Sequence, residues 1–244
     1  MRGITGSPLI PALVVTLASG AMVRAAGAQS VARTFELRAR AGMERQLDAG
    51  YRRHLDWHVT AGDRWAWYLW EVTNGARAGL HVDGTFGHAW SEFDGAVNPS
   101  GDEADNDLNV EPFAARGANH VWRLRSDLGG EVVDPEAAPR VLHTEYRVRP
   151  DGASTFEAAL RRLRAPLGAR AYAVHELVTG GETPTYVLWV PVTSWADAGA
   201  VADTADVLRA LAADAVPIVP AHHSDRQRLP GQWTSRACRS SARR

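Results

Sequence analysis

The chain contains one cysteine, Cys238, and no lysine among its 244 residues. A single thiol rules out a disulfide within the chain, so even an oxidising compartment adds no covalent staple. Cys238 sits between Arg236 and Arg239, whose charge favours a thiolate, but its polar surroundings offer no base. All 27 basic residues are arginine, scattered over helical and extended stretches alike, which reads as genome composition rather than function. Net charge is −1 with no basic stripe, so nucleic-acid binding has no footprint here. No Gly-x-Ser-x-Gly occurs, and a Ser/His/Asp hydrolase therefore has no nucleophile elbow. After the first 28 residues no segment is apolar enough to span a bilayer, which takes roughly 20 residues.

The first stretch reads as a signal peptide. Arg2 gives a short positive region, Leu9 to Ala18 an apolar run, and Ala26-Gly27-Ala28 a small-x-small cleavage site before Gln29. Arg24 near the cut leaves an uncleaved anchor as the alternative. No cysteine follows the run, against lipid attachment. The expected product is an exported protein, periplasmic or extracellular, of 216 residues. Nine tryptophans supply much of its apolar mass.

An internal repeat organises the remainder. Glu36-Leu37-Arg38-Ala39-Arg40 aligns with Glu145-Tyr146-Arg147-Val148-Arg149, each alternating as a strand does. A helical stretch follows both, Met43 to His58 and Thr155 to Arg164, the second with Ser154 as N-cap and Glu157 closing a capping box. Hairpins come next: Trp65 to Val72 turns at Thr73-Asn74-Gly75 into Gly84 to Trp90, and Ala171 to Val178 turns at Thr179-Gly180-Gly181 into Thr185 to Val192. A second helix runs from Ser194 to Ala213. Its counterpart is broken at Asn98-Pro99-Ser100-Gly101 and resumes at Asp105 to Ala115. Closing strands are His120 to Arg125 and either Val216 to Pro220 or Asp225 to Leu229. The order β-α-β-β-α-β, twice, is the ferredoxin-like unit. The expected architecture is α+β, two tandem units packed sheet to sheet as an intrachain pseudo-dimer or barrel. Its divisions are a signal peptide at 1–28, repeats at 29–128 and 140–233, a linker at 129–139 and a disordered tail at 234–244.

This element order resembles the dimeric α+β barrel superfamily, including antibiotic-biosynthesis-monooxygenase-like and NIPSNAP-like domains. The strings His54-Leu55-Asp56-Trp57-His58 and Gly84-Thr85-Phe86-Gly87-His88-Ala89-Trp90 look like those of exported bacterial members. The resemblance implies a cleft between helices and sheet that takes haem, an aromatic substrate with oxygen, or nothing catalytic. Fold analogy alone licenses no reaction.

Candidate site residues cluster in the first repeat. His54 and His58 lie four apart on a helix and share a face, a spacing that can ligate a divalent metal. His88 is the candidate third ligand, with Asp56 or Asp83 orienting a ring. In the second repeat Leu163, Leu167 and Val190 stand at the matching positions. Tyr51, His54, His58, Trp67, His88 and Trp90 are therefore expected to line one pocket for a small apolar or aromatic ligand. The bland alternative is a set of hydrogen-bonded core histidines. Asp102 to Asp107 reads as a solvated acidic loop, or a calcium loop lacking EF-hand spacing. Glu71 and Glu176 match across the repeats, which favours a structural role. Trp65, Trp67 and Trp70 could stack on a ligand but are more often core, and His222-His223 reads as exposed.

Three functional readings remain: a binding or interaction module using this pocket, a monooxygenase-like or haem- or metal-dependent enzyme, and a structural envelope protein. Oligomeric state stays open.

Overall fold

A computed structural model describes residues 30–128, 138–163, 167 and 170–201, and the backbone of 223–227. The signal segment, nearly all of the linker, residues 216–220, His222 and the tail with Cys238 lie outside the described residues.

The first half runs β1 (Val31–Ala39), α1 (Glu44–Thr60), β2 (Trp67–Val72), β3 (Leu80–His88), α2 (Pro99–Asn109) and β4 (Ala114–Leu124). The second runs β5 (Arg140–Arg147), α3 (Ala153–Arg162), β6 (Ala173–Thr179), β7 (Thr185–Val192), helical turns at 195–201, and β8 (His223–Gln227). All pairings are antiparallel. The strand order β1-β3-β2-β8-β5-β7-β6-β4 closes on itself as a barrel. Within it each half keeps one order, β4-β1-β3-β2 and β8-β5-β7-β6, and the halves join where β2 meets β8 and β4 meets β6. The two halves thus share one strand order within a mixed α+β fold.

Strand alternation sorts side chains into two cores. Outward residues meet helices: Leu37, Trp67 and Leu69 pack with Leu47, Tyr51 and Leu55 of α1, whereas Tyr146, Tyr186 and Leu188 pack with Phe156 and Leu160 of α3. Inward residues fill the barrel, where Ala32, Trp122, Leu177 and Val187 meet Phe86 and Trp189. Each fully buried side chain of this size contributes about 1.5–3 kcal/mol.

Several expectations are corrected. The stretch Asn98-Pro99-Ser100-Gly101 starts a helix instead of breaking one. Asn98 takes φ 40°, its side chain accepts a hydrogen bond from the Gly101 amide, and Pro99 occupies the first turn, where its missing N–H costs nothing. Asp102 to Asp107 therefore lies in α2 and forms no loop. The capping box on α3 is absent: Gly152 is the N-cap, and Glu157 accepts from Arg125 and Tyr186 instead. The closing strand of the second half is His223–Gln227, overlapping the later of the two expected segments.

Candidate metal centre

Helix α1 carries its apolar face onto the sheet and with it two histidines, His54 and His58, both buried. One turn apart, their Nε2 atoms face each other at 3.2 Å. Their other nitrogens are each spoken for. His54 Nδ1 lies 2.9 Å from Asp105 Oδ1, and His58 Nδ1 lies 2.9 Å from Asp63 Oδ2. A carboxylate accepts, so each Nδ1 carries a proton, and in a neutral ring the Nε2 then presents a lone pair.

The third donor comes from α2. Asp102, Asp105 and Asn106 fall on one face of that helix by their spacing. Asp102 Oδ1 sits 3.3 Å from His54 Nε2 and 3.5 Å from His58 Nε2. That oxygen is buried and accepts no well-formed hydrogen bond from any described residue. Asn106 Nδ2 approaches His54 Nε2 at 3.0 Å, consistent with a lone pair there. The donor atoms of His54, His58 and Asp102 all lie within 4.8 Å of one another, close enough to hold a metal ion.

Three donor atoms this close need a cation among them, either a proton or a metal ion. Burial holds the His54 imidazole below its ordinary pKa, against the opposing pull of Asp105, so a shared proton is disfavoured. A tetrahedral ion with bonds of about 2.0–2.1 Å has edges of about 3.3 Å. The observed separations of 3.2, 3.3 and 3.5 Å match such edges.

The surroundings lock this geometry. Asp63 accepts from His58, the Trp67 indole and the Trp65 amide; burial pushes its carboxyl up, but these bonds outweigh it and hold the pKa low. Trp57 stacks parallel to His54, and Trp67 packs against His58. The helices are pressed together at Gly50, where a Cβ would stand 1.8 Å from the Asn109 carbonyl oxygen. Arg53 donates to Asn109, which donates on to Asp105, tying α1 to the outer carboxylate.

Of the expected pocket residues, His54, His58 and Trp67 come together here. Tyr51 stands one turn earlier and donates to Asp83 at 2.5 Å; burial raises the Asp83 carboxyl to about 7. Two expectations are corrected. His88 does not join: its Nε2 meets the Thr85 hydroxyl at 2.6 Å and its ring packs on Trp65 and Phe93. Trp90 lies in a short 3-10 turn and is 45% exposed. Nor do Asp56 and Asp83 orient the imidazoles; Asp63 and Asp105 do. The sequence reading missed Asp63, Asp102, Asp105 and Asn106. Reading 99–109 as a helix begun by Asn-Pro would have set Asp102, Asp105 and Asn106 on one face. Leu163, Leu167 and Val190 of the second half are buried apolar core.

No protein-family model matches the chain, and no curated protein is detectably similar in sequence. Solved structures share its architecture. An anthrone oxidase-like protein aligns with TM-score 0.56 and 11% identity, over 82% of this chain and 91% of the other. A chlorite dismutase variant from Candidatus Nitrospira defluvii aligns at 0.57 and 5%, over 81% and 91%. A monooxygenase-like protein from Fusobacterium nucleatum aligns at 0.57 and 7%, over 82% and 93%. At these identities the likeness is one of fold alone: the chain shares the mixed α+β architecture of these chlorite dismutase, oxidase-like and monooxygenase-like structures.

Proposed function

We propose that this is an exported protein, two ferredoxin-like repeats fused into one barrel, that holds a single divalent transition metal on His54, His58 and Asp102. The observation carrying the reading is the convergence of three donor atoms, each imidazole held from behind by a carboxylate. Carboxylate-backed histidines are the usual support of a metal-binding imidazole. The edge lengths favour a tetrahedral ion of the zinc type, with the fourth position left to water or a small ligand. Three protein ligands plus an open position is the catalytic rather than the structural pattern. A metal held by His54, His58 and Asp102 would supply Lewis-acid activation of a water or a small substrate oxygen. Asp63 and Asp105 fix the rings, and Trp57 and Trp67 exclude water from their flanks.

A second reading has one specific support. Two histidines and one carboxylate are also the donor set of non-haem iron(II) oxygenases, and fold neighbours include oxidase-like and monooxygenase-like proteins. Haem is disfavoured, because a flat macrocycle centred on either Nε2 would run into the other ring 3.2 Å away.

The test is metal analysis of mature protein exported to the periplasm and purified without chelator or imidazole. One equivalent of zinc is expected, with iron instead favouring the second reading. The H54A/H58A double variant should fold and carry none. A bare chain that also fails to take up zinc or iron at micromolar concentration overturns the proposal.

A further inference from the structure

A fourth side chain reaches the cluster at the end of α1. His54 Nε2 has His58 Nε2 at 3.2 Å and Asp102 Oδ1 at 3.3 Å, and it also has the Asn106 amide nitrogen at 3.0 Å. Asn106 lies four residues after Asp102 on α2, so the helix presents both side chains on one face. Its neighbour Asp105 holds the other nitrogen of the same ring at 2.9 Å. One turn on, Asn109 is pressed against Gly50. The backbone that carries Asn106 is therefore anchored beside the imidazole.

Every corner of a tetrahedron has three edges. From His54 Nε2 they run to His58, Asp102 and Asn106, with lengths of 3.2, 3.3 and 3.0 Å. A shell with bonds of about 2.0–2.1 Å has edges of about 3.3 Å. The end of the Asn106 side chain thus stands near the fourth corner of the shell.

As placed, that end is an amide N–H₂ directed at the Nε2 lone pair, a donor and not a metal ligand. An ion on Nε2 takes this acceptor away and meets the donor edge of the amide. Half a turn about the Cβ–Cγ bond exchanges Nδ2 for Oδ1 in nearly the same place, and an amide carbonyl oxygen is a metal ligand. Among the described residues the amide bonds only to His54, so the turn gives up no contact that the ion would leave intact. It is also the least firmly held of the four donors. The two rings are backed by Asp105 and Asp63, and Asp102 carries a charge, whereas the amide is neutral.

On the reading that a metal binds at His54, His58 and Asp102, we propose that Asn106 supplies its fourth ligand through Oδ1 and is the ligand that gives way when a water or small molecule enters. The shell is closed at rest and opens by rotation of one side chain, with neither helix moving.

Two measurements on the full mature protein test this: zinc affinity by competition with a chromophoric chelator, and azide affinity of the cobalt(II)-loaded protein from its visible spectrum. N106A should weaken zinc binding tenfold or more. N106D restores an oxygen at the same corner and should bind zinc at least as tightly as the parent. Azide should bind the N106A cobalt protein at least tenfold more tightly than the parent, because no amide has to leave. Asn106 is half-buried on a helix and alanine is the better helix former, so N106A should fold as the parent does. A residue that only donates to the imidazole gives another result: N106A then binds zinc as tightly as the parent or more so, since a competitor for the lone pair is gone, and azide affinity stays the same. That result, or N106D binding zinc no better than N106A, overturns the proposal and leaves the metal reading standing. A parent protein that takes up neither zinc nor cobalt overturns both.

Discussion

Glu36 and Glu145 occupy equivalent positions in the first strand of each half and share a single guanidinium, that of Arg77. The arginine lies in the loop between β2 and β3, and the shorter turn between β6 and β7 has no counterpart. One side chain from the first half therefore ties the two halves together across the barrel interior.

Removing that tie should cost more than the pair gains. Breaking a buried ion pair leaves its partner charged and uncompensated, a loss of about 3–5 kcal/mol. The carboxylates here retain some access to a cavity in the barrel interior, so R77A should lose about 3 kcal/mol in urea unfolding. E36Q/E145Q in the R77A background should recover most of it. If R77A is neutral, the cluster is not a structural tie.

The outer carboxylates make the sharpest test of the metal centre. Asn in place of Asp63 or Asp105 keeps the shape but can present its amide N–H₂ to Nδ1, favouring the wrong tautomer. Such changes typically cost 10–100-fold in metal affinity. D63N and D105N should each fall in that range by competition with a chromophoric chelator, and D56N should do nothing. An effect of D56N equal to the other two would move the site.

Gly50 sets the distance between the helices that supply the ligands. Alanine there overpacks against the Asn109 carbonyl, a class of change costing about 1–3 kcal/mol. Because Asp102 rides on α2, G50A should weaken metal binding at least tenfold as well. Gly95, with open space where a Cβ would stand, is the control: G95A should leave affinity unchanged.

Acid should destabilise the fold well before ordinary carboxylates protonate. His143 and His175 titrate near 3 and 4 in the folded state because burial disfavours the imidazolium, against about 6.5 when unfolded. Between pH 4.5 and 6.5 the unfolded chain binds their protons and the folded chain does not, so stability rises with pH. Asp83 acts oppositely: burial raises its folded pKa to about 7, so its contribution is present at low pH and is lost as pH climbs through 7. His54, His81, His88 and His120 are lowered by burial as well and act in the same sense, so stability rises with pH across this window despite Asp83. D83N should steepen the slope by about 1.4 kcal/mol per pH unit. Urea titrations at pH 4.5, 5.5 and 6.5 measure both slopes, and a flat or inverted profile for the parent contradicts the assignment.

The fold was legible because strand alternation survives in both halves: Thr185–Val192 emerged with the bounds its pattern suggests, and β1 sorts its side chains as its sequence implies. Helix α2 was misread because its apolar signal is weak. Its acids face a polar partner instead of core, so periodicity of hydrophobic residues says nothing about it. The candidate site divides along the same line. His54 and His58 are local in sequence and could be paired by spacing alone. Asp102 and Asp105 stand about fifty positions away, and only the packing of α2 on α1 brings them in. Asp63, five residues past His58, was within reach, but its role depends on how the chain turns after α1.

The asymmetry between the halves has a consequence for stability. Where the first half buries two imidazoles, the second buries Leu163 and Leu167. A polar cluster in a core is a thermodynamic burden. The apolar half, joined to it through a continuous sheet, supplies a margin of stability that does not depend on that cluster. One half can therefore carry polar groups while the other keeps the barrel folded.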